Sequence, residues 1–171
     1  MLILWLLAGI VVAPFEAQAA TPQTRSHGKQ SLVLHVDAPA SMTLAAFTPT
    51  QEAQWNVGWN PAFSRLERAN EEGSVFTTSG RSGQTVWLLD RYDRSSDEIR
   101  YVEVQPQLTL SLITVIVTPG DAKHSVARLT YEQTSLSARG DRRVNHFLAN
   151  FTTQRAHWEH VLNEYLRARE R

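Results

Sequence analysis

Leu108–Thr118 reads LTLSLITVIVT, and the reading of this stretch decides the fold. It is the most apolar segment after residue 20. It spans eleven residues, whereas a membrane-crossing helix needs about 20. It is rich in Thr, Ile and Val and lies between Pro106 and Pro119. β-branched residues in a short run between breakers specify a buried central strand.

Outward from it, the neighbours carry the same signature. Glu98–Gln105 (EIRYVEVQ) alternates around Val102 and Val104. Ser125–Ser135 sets Ala127, Leu129 and Tyr131 against Arg128, Thr130 and Glu132. Gln84–Tyr92 (QTVWLLDRY) is apolar on both faces, Ser74–Thr78 is a shorter strand and Phe63–Arg68 a weak one. Asn70–Gly73, Gly80–Gly83, Asp93–Asp97, Pro106 and Pro119-Gly120-Asp121 punctuate the series. Such short links imply hairpins and an antiparallel meander. A seventh strand, Ser31–Asp37, stands ahead of it and is apolar at Leu32, Leu34 and Val36.

Two short helices are expected within Ala38–Trp59. In the second, Thr48-Pro49-Thr50-Gln51 has the order of a capping box: Thr48 as N-cap, Pro49 at the first helical position, Gln51 reaching back. Asp141–Arg167 reads as one long helix of about 40 Å. Val144, Phe147, Leu148, Phe151, Trp158, Leu162, Tyr165 and Leu166 form its apolar stripe. One helix against so long a meander must cover the apolar face of the sheet, and strand twist curls the sheet around it. The fold class is therefore α+β: a helix-grip arrangement of seven antiparallel strands around a long C-terminal helix, with two short helices after the first strand.

The chain has 171 residues, enough for one domain with its own core. Lys plus Arg balance Asp plus Glu at 17 each, so no basic field for nucleic acid exists. The absence of cysteine excludes disulfides, thiolate metal sites and a cysteine nucleophile. Leu2–Val12 is an apolar run too short to span a bilayer, followed by Pro14 and the small-x-small triplet Ala17-Gln18-Ala19. Residues 1–20 are expected to be a signal peptide cleaved near Ala19-Ala20, directing the protein to the periplasm or outside the cell. Thr21–Gln30 is expected to be a flexible lead-in, and residues 31–171 the single domain.

The segments FTPTQEAQWNVGWNP (Phe47–Pro61), GSVFTT (Gly73–Thr78), TVWLLDRYD (Thr85–Asp93), IRYVEV (Ile99–Val104) and LTYEQTSLS (Leu129–Ser137), with the final helix, resemble the SRPBCC superfamily of START-like, helix-grip proteins. The likeness runs from about Ser31 to Leu166, nearest to the polyketide cyclase/dehydrase and lipid-transport branch. It implies a cavity between sheet and helix. It transfers no catalytic motif, and the superfamily's functions range from carriers to enzymes.

Candidate site residues follow from the aromatic pattern. Trp59, Trp87, Tyr131, Phe151 and Trp158 are expected to line a pocket for an apolar ligand, although any single tryptophan is more often core. Arg155 falls, at 100° per residue, between Phe151, Trp158 and Leu162 on the stripe. A guanidinium there must meet a ligand anion or a carboxylate such as Glu103 or Glu132. His146, His157 and His160 with Glu164 resemble a metal set, but the helical wheel turns all four away from the stripe. No cofactor and no metal is expected. The expected function is an exported protein holding a hydrophobic small molecule or lipid. The alternatives are a cyclase- or dehydratase-like enzyme acting in the same cavity, and a ligand-free structural or interaction module. No membrane span is expected in the mature chain.

Overall fold

The computed structural model describes residues 24–80 and 83–169, so the expected signal segment lies outside the described residues. The strands are β1 (His27–Val36), β2 (Ala62–Phe63), β3 (Val75–Gly80), β4 (Gly83–Asp93), β5 (Glu98–Gln105), β6 (Thr109–Pro119) and β7 (Ser125–Ser135). The helices are α1 (Ala40–Ala46), α2 (Pro49–Glu52), α3 (Ala138–Asn150) and α4 (Arg155–Arg169). All strand pairs are antiparallel and the sheet order is β1-β7-β6-β5-β4-β3-β2. The α+β helix-grip fold is as expected.

Leu108–Thr118 is the central strand β6, with Ile113, Val115 and Val117 in the core and Leu112 and Ile116 exposed on the outer face. Its neighbour β5 corrects the expected phase. Ile99, Tyr101 and Glu103 face inward and are buried, while Val102 and Val104 are half-buried on the outer face. The ladder explains this: Tyr101 pairs with Ile113 and Glu103 with Ser111, which points inward too. Outer valines still bury half their surface because sheet neighbours flank them.

β1 begins at His27, inside the expected lead-in. His27–Gln30 pair with Tyr131–Thr134 of β7, and Lys29 and His27 reach Glu132. A free β7 edge offers ladder bonds to polar residues as readily as to apolar ones. Ser26 N and the Arg25 guanidinium then donate to Asp141 at the start of α3. β1 is also an edge strand, and α4 closes its rim. Glu159 accepts from His35 N, and Asn163 both accepts from Asp37 N and donates to His35 O. Arg167 pairs with the Asp37 carboxylate at 2.7 Å. These three residues, four apart, cover groups that would otherwise template aggregation.

The N-terminal half of the expected long helix starts earlier than read, at Ala138, with Ser137 as N-cap accepting from Gly140 N. Gly140 is required here by a close approach. A Cβ on it would lie 1.9 Å from Leu108 O. Helix α3 ends at Asn150, and a 3-10 turn over Phe151–Gln154 separates it from α4. The single helix is thus two segments. α1 packs on the inner face of β6 and β7, and at the corner where it turns into α2 Tyr101 OH donates to Phe47 O at 2.7 Å. Thr48 and Pro49 occupy the expected start of α2, but the capping box does not form. Thr48 Oγ1 donates backward to Ala45 O, and Gln51 accepts from Tyr165 OH and Arg169.

Candidate functional site

Alternation brings a continuous band of side chains to the concave face. One row runs Tyr101–Ile113–Tyr131 across β5, β6 and β7, and the next runs Trp87–Glu103–Ser111–Gln133 from β4 to β7. The helices and the α1–α2 corner stand over this band.

Two spaces lie between them. The inner one is a cavity of ≈ 30 Å³ among Phe47, Glu52, Trp59, Tyr101, Ile113 and Leu129. It is the size of about one water molecule. The outer one is a groove of ≈ 390 Å³ between the β5–β7 end of the sheet and α3, with Glu103, Gln133, Arg143, His146 and Phe147 in its walls. Trp87, Tyr131 and Trp158 line both spaces and form the partition. The partition is aromatic throughout. Trp59 meets Trp87 at 4.8 Å between ring centroids, Tyr131 meets Phe151 at 4.9 Å, and Phe151 meets Trp158 edge-on at 6.0 Å.

Five of the six expected site residues come together here. Trp59 borders the inner cavity, Phe151 the groove, and Trp87, Tyr131 and Trp158 both. Four of the pocket-side tryptophan and tyrosine polar groups are anchored: Trp55 Nε1 donates to Ala46 O, Trp59 Nε1 to Pro49 O, Trp87 Nε1 to Thr78 Oγ1, and Tyr101 OH to Phe47 O. Arg155 does not join them. Its side chain is 53% exposed and it pairs along the helix with Glu159 at 3.7 Å. Arg155 opens α4 and keeps the angular phase of Leu162 and Leu166 further along it, so its exposure comes from its place in the first turn, ahead of the turns that dock on β1 through Glu159 and Asn163. His157, His160 and Glu164 are exposed on α4. His146 is exposed as well, but at the rim of the groove.

Of the polar residues facing the two spaces, the sequence reading named Glu103 only as a candidate partner of Arg155 and did not place Glu52 or Gln133. Glu52 lies in the wall of the inner cavity. Loss of water around its carboxyl raises its pKa to about 7, with the Asn56 amide donating at 2.8 Å in partial opposition. Glu103 is 6% exposed. Burial pushes its pKa up, and hydrogen bonds from Ser111 and Gln105 and the charge of Arg143 hold it back. Burial raises the phenols of Tyr101 and Tyr131 well above their ordinary value, so both stay protonated. The signal for Glu103 was present: it shares parity with Ile99 and Tyr101. Glu52 gave none, since its place depends on how the α2 turn packs against the sheet.

No protein-family model matches the chain, and no curated protein matches it in sequence. Solved structures do match. A norcoclaurine synthase point mutant from Thalictrum flavum, in complex with a transition-state analogue, aligns with TM-score 0.67 at 10% identity over 88% of this chain and 100% of that one. A protein from Thermobifida fusca aligns with TM-score 0.55 at 18% identity over 71% and 83%. Major latex-like protein 151 of Panax ginseng aligns with TM-score 0.51 at 11% identity over 65% and 81%.

Proposed function

On the premise of an SRPBCC-type helix-grip fold, we propose that this protein is exported and binds a hydrophobic small molecule between the sheet and α3. The observation that carries the reading is the groove itself: ≈ 390 Å³, floored by Trp87, Tyr131, Phe151 and Trp158. A ring system or acyl segment of modest size fits that volume and those walls. The inner cavity takes no ligand as it stands. A longer ligand enters it by displacing Trp158 or Trp87 from the partition. The norcoclaurine synthase of similar fold is itself known in complex with a transition-state analogue. The groove is tested by calorimetric titration with 2-methoxynaphthalene, an apolar probe without a hydrogen-bond donor. One saturable site per chain is expected, lost in Phe151→Asp. Absence of binding in the wild type ends the reading.

A second reading is favoured by Glu52. A carboxyl with a pKa near 7 beside a cavity is suited to proton transfer at neutral pH. A cyclase- or dehydratase-like reaction at this carboxyl requires the substrate to open the partition. Turnover of a polyketide-like substrate abolished by Glu52→Gln, with substrate binding retained, is its test.

Export rests on Leu2–Val12 and the Ala17-Gln18-Ala19 triplet. N-terminal sequencing of fractionated cells is expected to give Ala20 or Thr21 outside the cytosol. Full-length protein in the cytosol contradicts it.

A further inference from the structure

The groove has a polar end that the aromatic floor does not explain. Glu103, Ser111 and Gln133 stand side by side on three central strands, 6%, 0% and 7% exposed. Gln133 Nε2 donates to Ser111 Oγ at 3.1 Å, and Ser111 donates on to the Glu103 carboxylate. From the other side, Gln105 Nε2 donates to Glu103 Oε1 at 2.9 Å. One N–H of each amide and the Ser111 hydroxyl proton therefore run toward Glu103. What remains at the two ends are carbonyl oxygens. Gln133 Oε1 and Gln105 Oε1 are buried and accept no hydrogen bond from the described residues. Gln133 lies in the groove wall. An acceptor left without a donor inside a protein is destabilising, because it has lost water and gained nothing in exchange. Gln133 Oε1 itself is covered in this structure, so a ligand that donates to it recovers that loss after a small turn of the Gln133 amide toward the groove.

Charge narrows the ligand further. A carboxylate or phosphate head would face Glu103 and the unpaired carbonyl of Gln133. An ammonium head would face the guanidinium of Arg143, in the opposite wall of the same groove. A neutral donor meets neither objection.

We propose that the Gln133 end of the groove is a specificity subsite for a neutral hydroxyl group, so that the ligand is an amphiphile with an apolar, ring-like body and a hydroxyl head. This rests on the groove being the ligand site. The body lies on Trp87, Tyr131 and Phe151, and the hydroxyl donates to Gln133 Oε1. The subsite fixes which end of the ligand enters first.

The experiment compares three probes of one body by calorimetry at neutral pH: 2-naphthol, 2-methoxynaphthalene and 2-naphthoate. In the wild type, 2-naphthol is expected to bind roughly 3- to 10-fold more tightly than 2-methoxynaphthalene, the value of one added hydrogen bond to a buried acceptor. 2-Naphthoate is expected to bind most weakly. Gln133→Leu is expected to remove the preference for 2-naphthol while leaving 2-methoxynaphthalene binding within about twofold, which also shows that the variant is folded. Equal affinity for naphthol and its methyl ether overturns the subsite, as does a preference that survives in Gln133→Leu. Tightest binding of 2-naphthoate overturns it too, and assigns head-group selection to Arg143. If none of the three binds, the ligand-binding reading has failed first, and the subsite with it.

Discussion

At the scale of single residues, Arg155 shows that helical phase alone does not fix what a side chain meets. Buried in the apolar stripe it would be a charge whose loss would strand a partner at a loss of about 3–5 kcal/mol. In the structure it is an exposed member of an i,i+4 pair with Glu159. Such pairs are worth a few tenths of a kcal/mol. Arg155→Leu is therefore expected to shift the unfolding free energy by less than about 0.5 kcal/mol and to leave probe affinity unchanged. A large loss in a denaturant titration contradicts this placement. The sequence could not show it, because where along its length the helix meets the sheet is a tertiary property.

Glu52 is a second residue whose surroundings matter more than its identity. Its pKa rises from 4.5 to about 7 on folding because burial penalises the charged form. The folded state thus holds a proton that the unfolded state has released between those two values. Stability is fully retained below about 4.5, declines as pH rises toward 7, and stays reduced above it. The ceiling on the effect is about 3 kcal/mol, from about 1.4 kcal/mol per pH unit. Glu52→Gln keeps the acceptor for Asn56 and removes the charge. It is expected to be more stable than the wild type at pH 8, with the difference vanishing near pH 4. Parallel denaturation midpoints across that range test the assignment, and a constant difference contradicts it.

At the scale of elements, the strands were legible and the helix phases less so. β6, β7 and β4 announce themselves by length, β-branching and bounding turns, and on β7 Ala127, Leu129 and Tyr131 share the inner face as expected. β5 was read in the wrong phase because Val102 and Val104 equal the inward Ile99 and Tyr101 in number, while the buried Glu103 counts as polar. Cross-strand partners decide such cases, and they are a tertiary property. The α2 start was placed correctly and its chemistry was not. Thr48 is buried and its hydroxyl serves Ala45 O. Thr48→Ala is expected to lose about 1 kcal/mol through that bond rather than through a cap.

The start of α3 gives a sharper element-scale prediction. Alanine is the better helix former than glycine by about 1 kcal/mol. Gly140→Ala is nevertheless expected to destabilise the protein by about 2–3 kcal/mol, since the methyl group overlaps Leu108 O and forces α3 away from the β5–β6 turn. A stabilised variant contradicts the docking of α3 described above.

At the scale of the whole molecule, the helices divide the concave side of the sheet between them. α1, α2 and α4 pack around Leu34, Leu44, Leu162 and Leu166, with a surface pocket of ≈ 380 Å³ left beside Met42, Tyr92 and Tyr165. α3 leaves the groove between itself and β5–β7. The aromatic residues of the groove were readable as a set: Trp87, Tyr131, Phe151 and Trp158 alternate or recur with the periods of their elements. The division of the interior by those same rings was not readable, since it depends on rotamers and on the pitch change at Phe151. Among the described residues, no helix is long and apolar enough to cross a membrane.

The central claim is that this groove holds an apolar molecule. It is tested most directly by native mass spectrometry of the protein purified, without detergent, from the organism that makes it. The account predicts a non-covalent adduct of a few hundred daltons, one per chain, that is absent from the same preparation of Phe151→Asp. A bare protein mass after gentle handling, together with an indistinguishable spectrum for the variant, would contradict it.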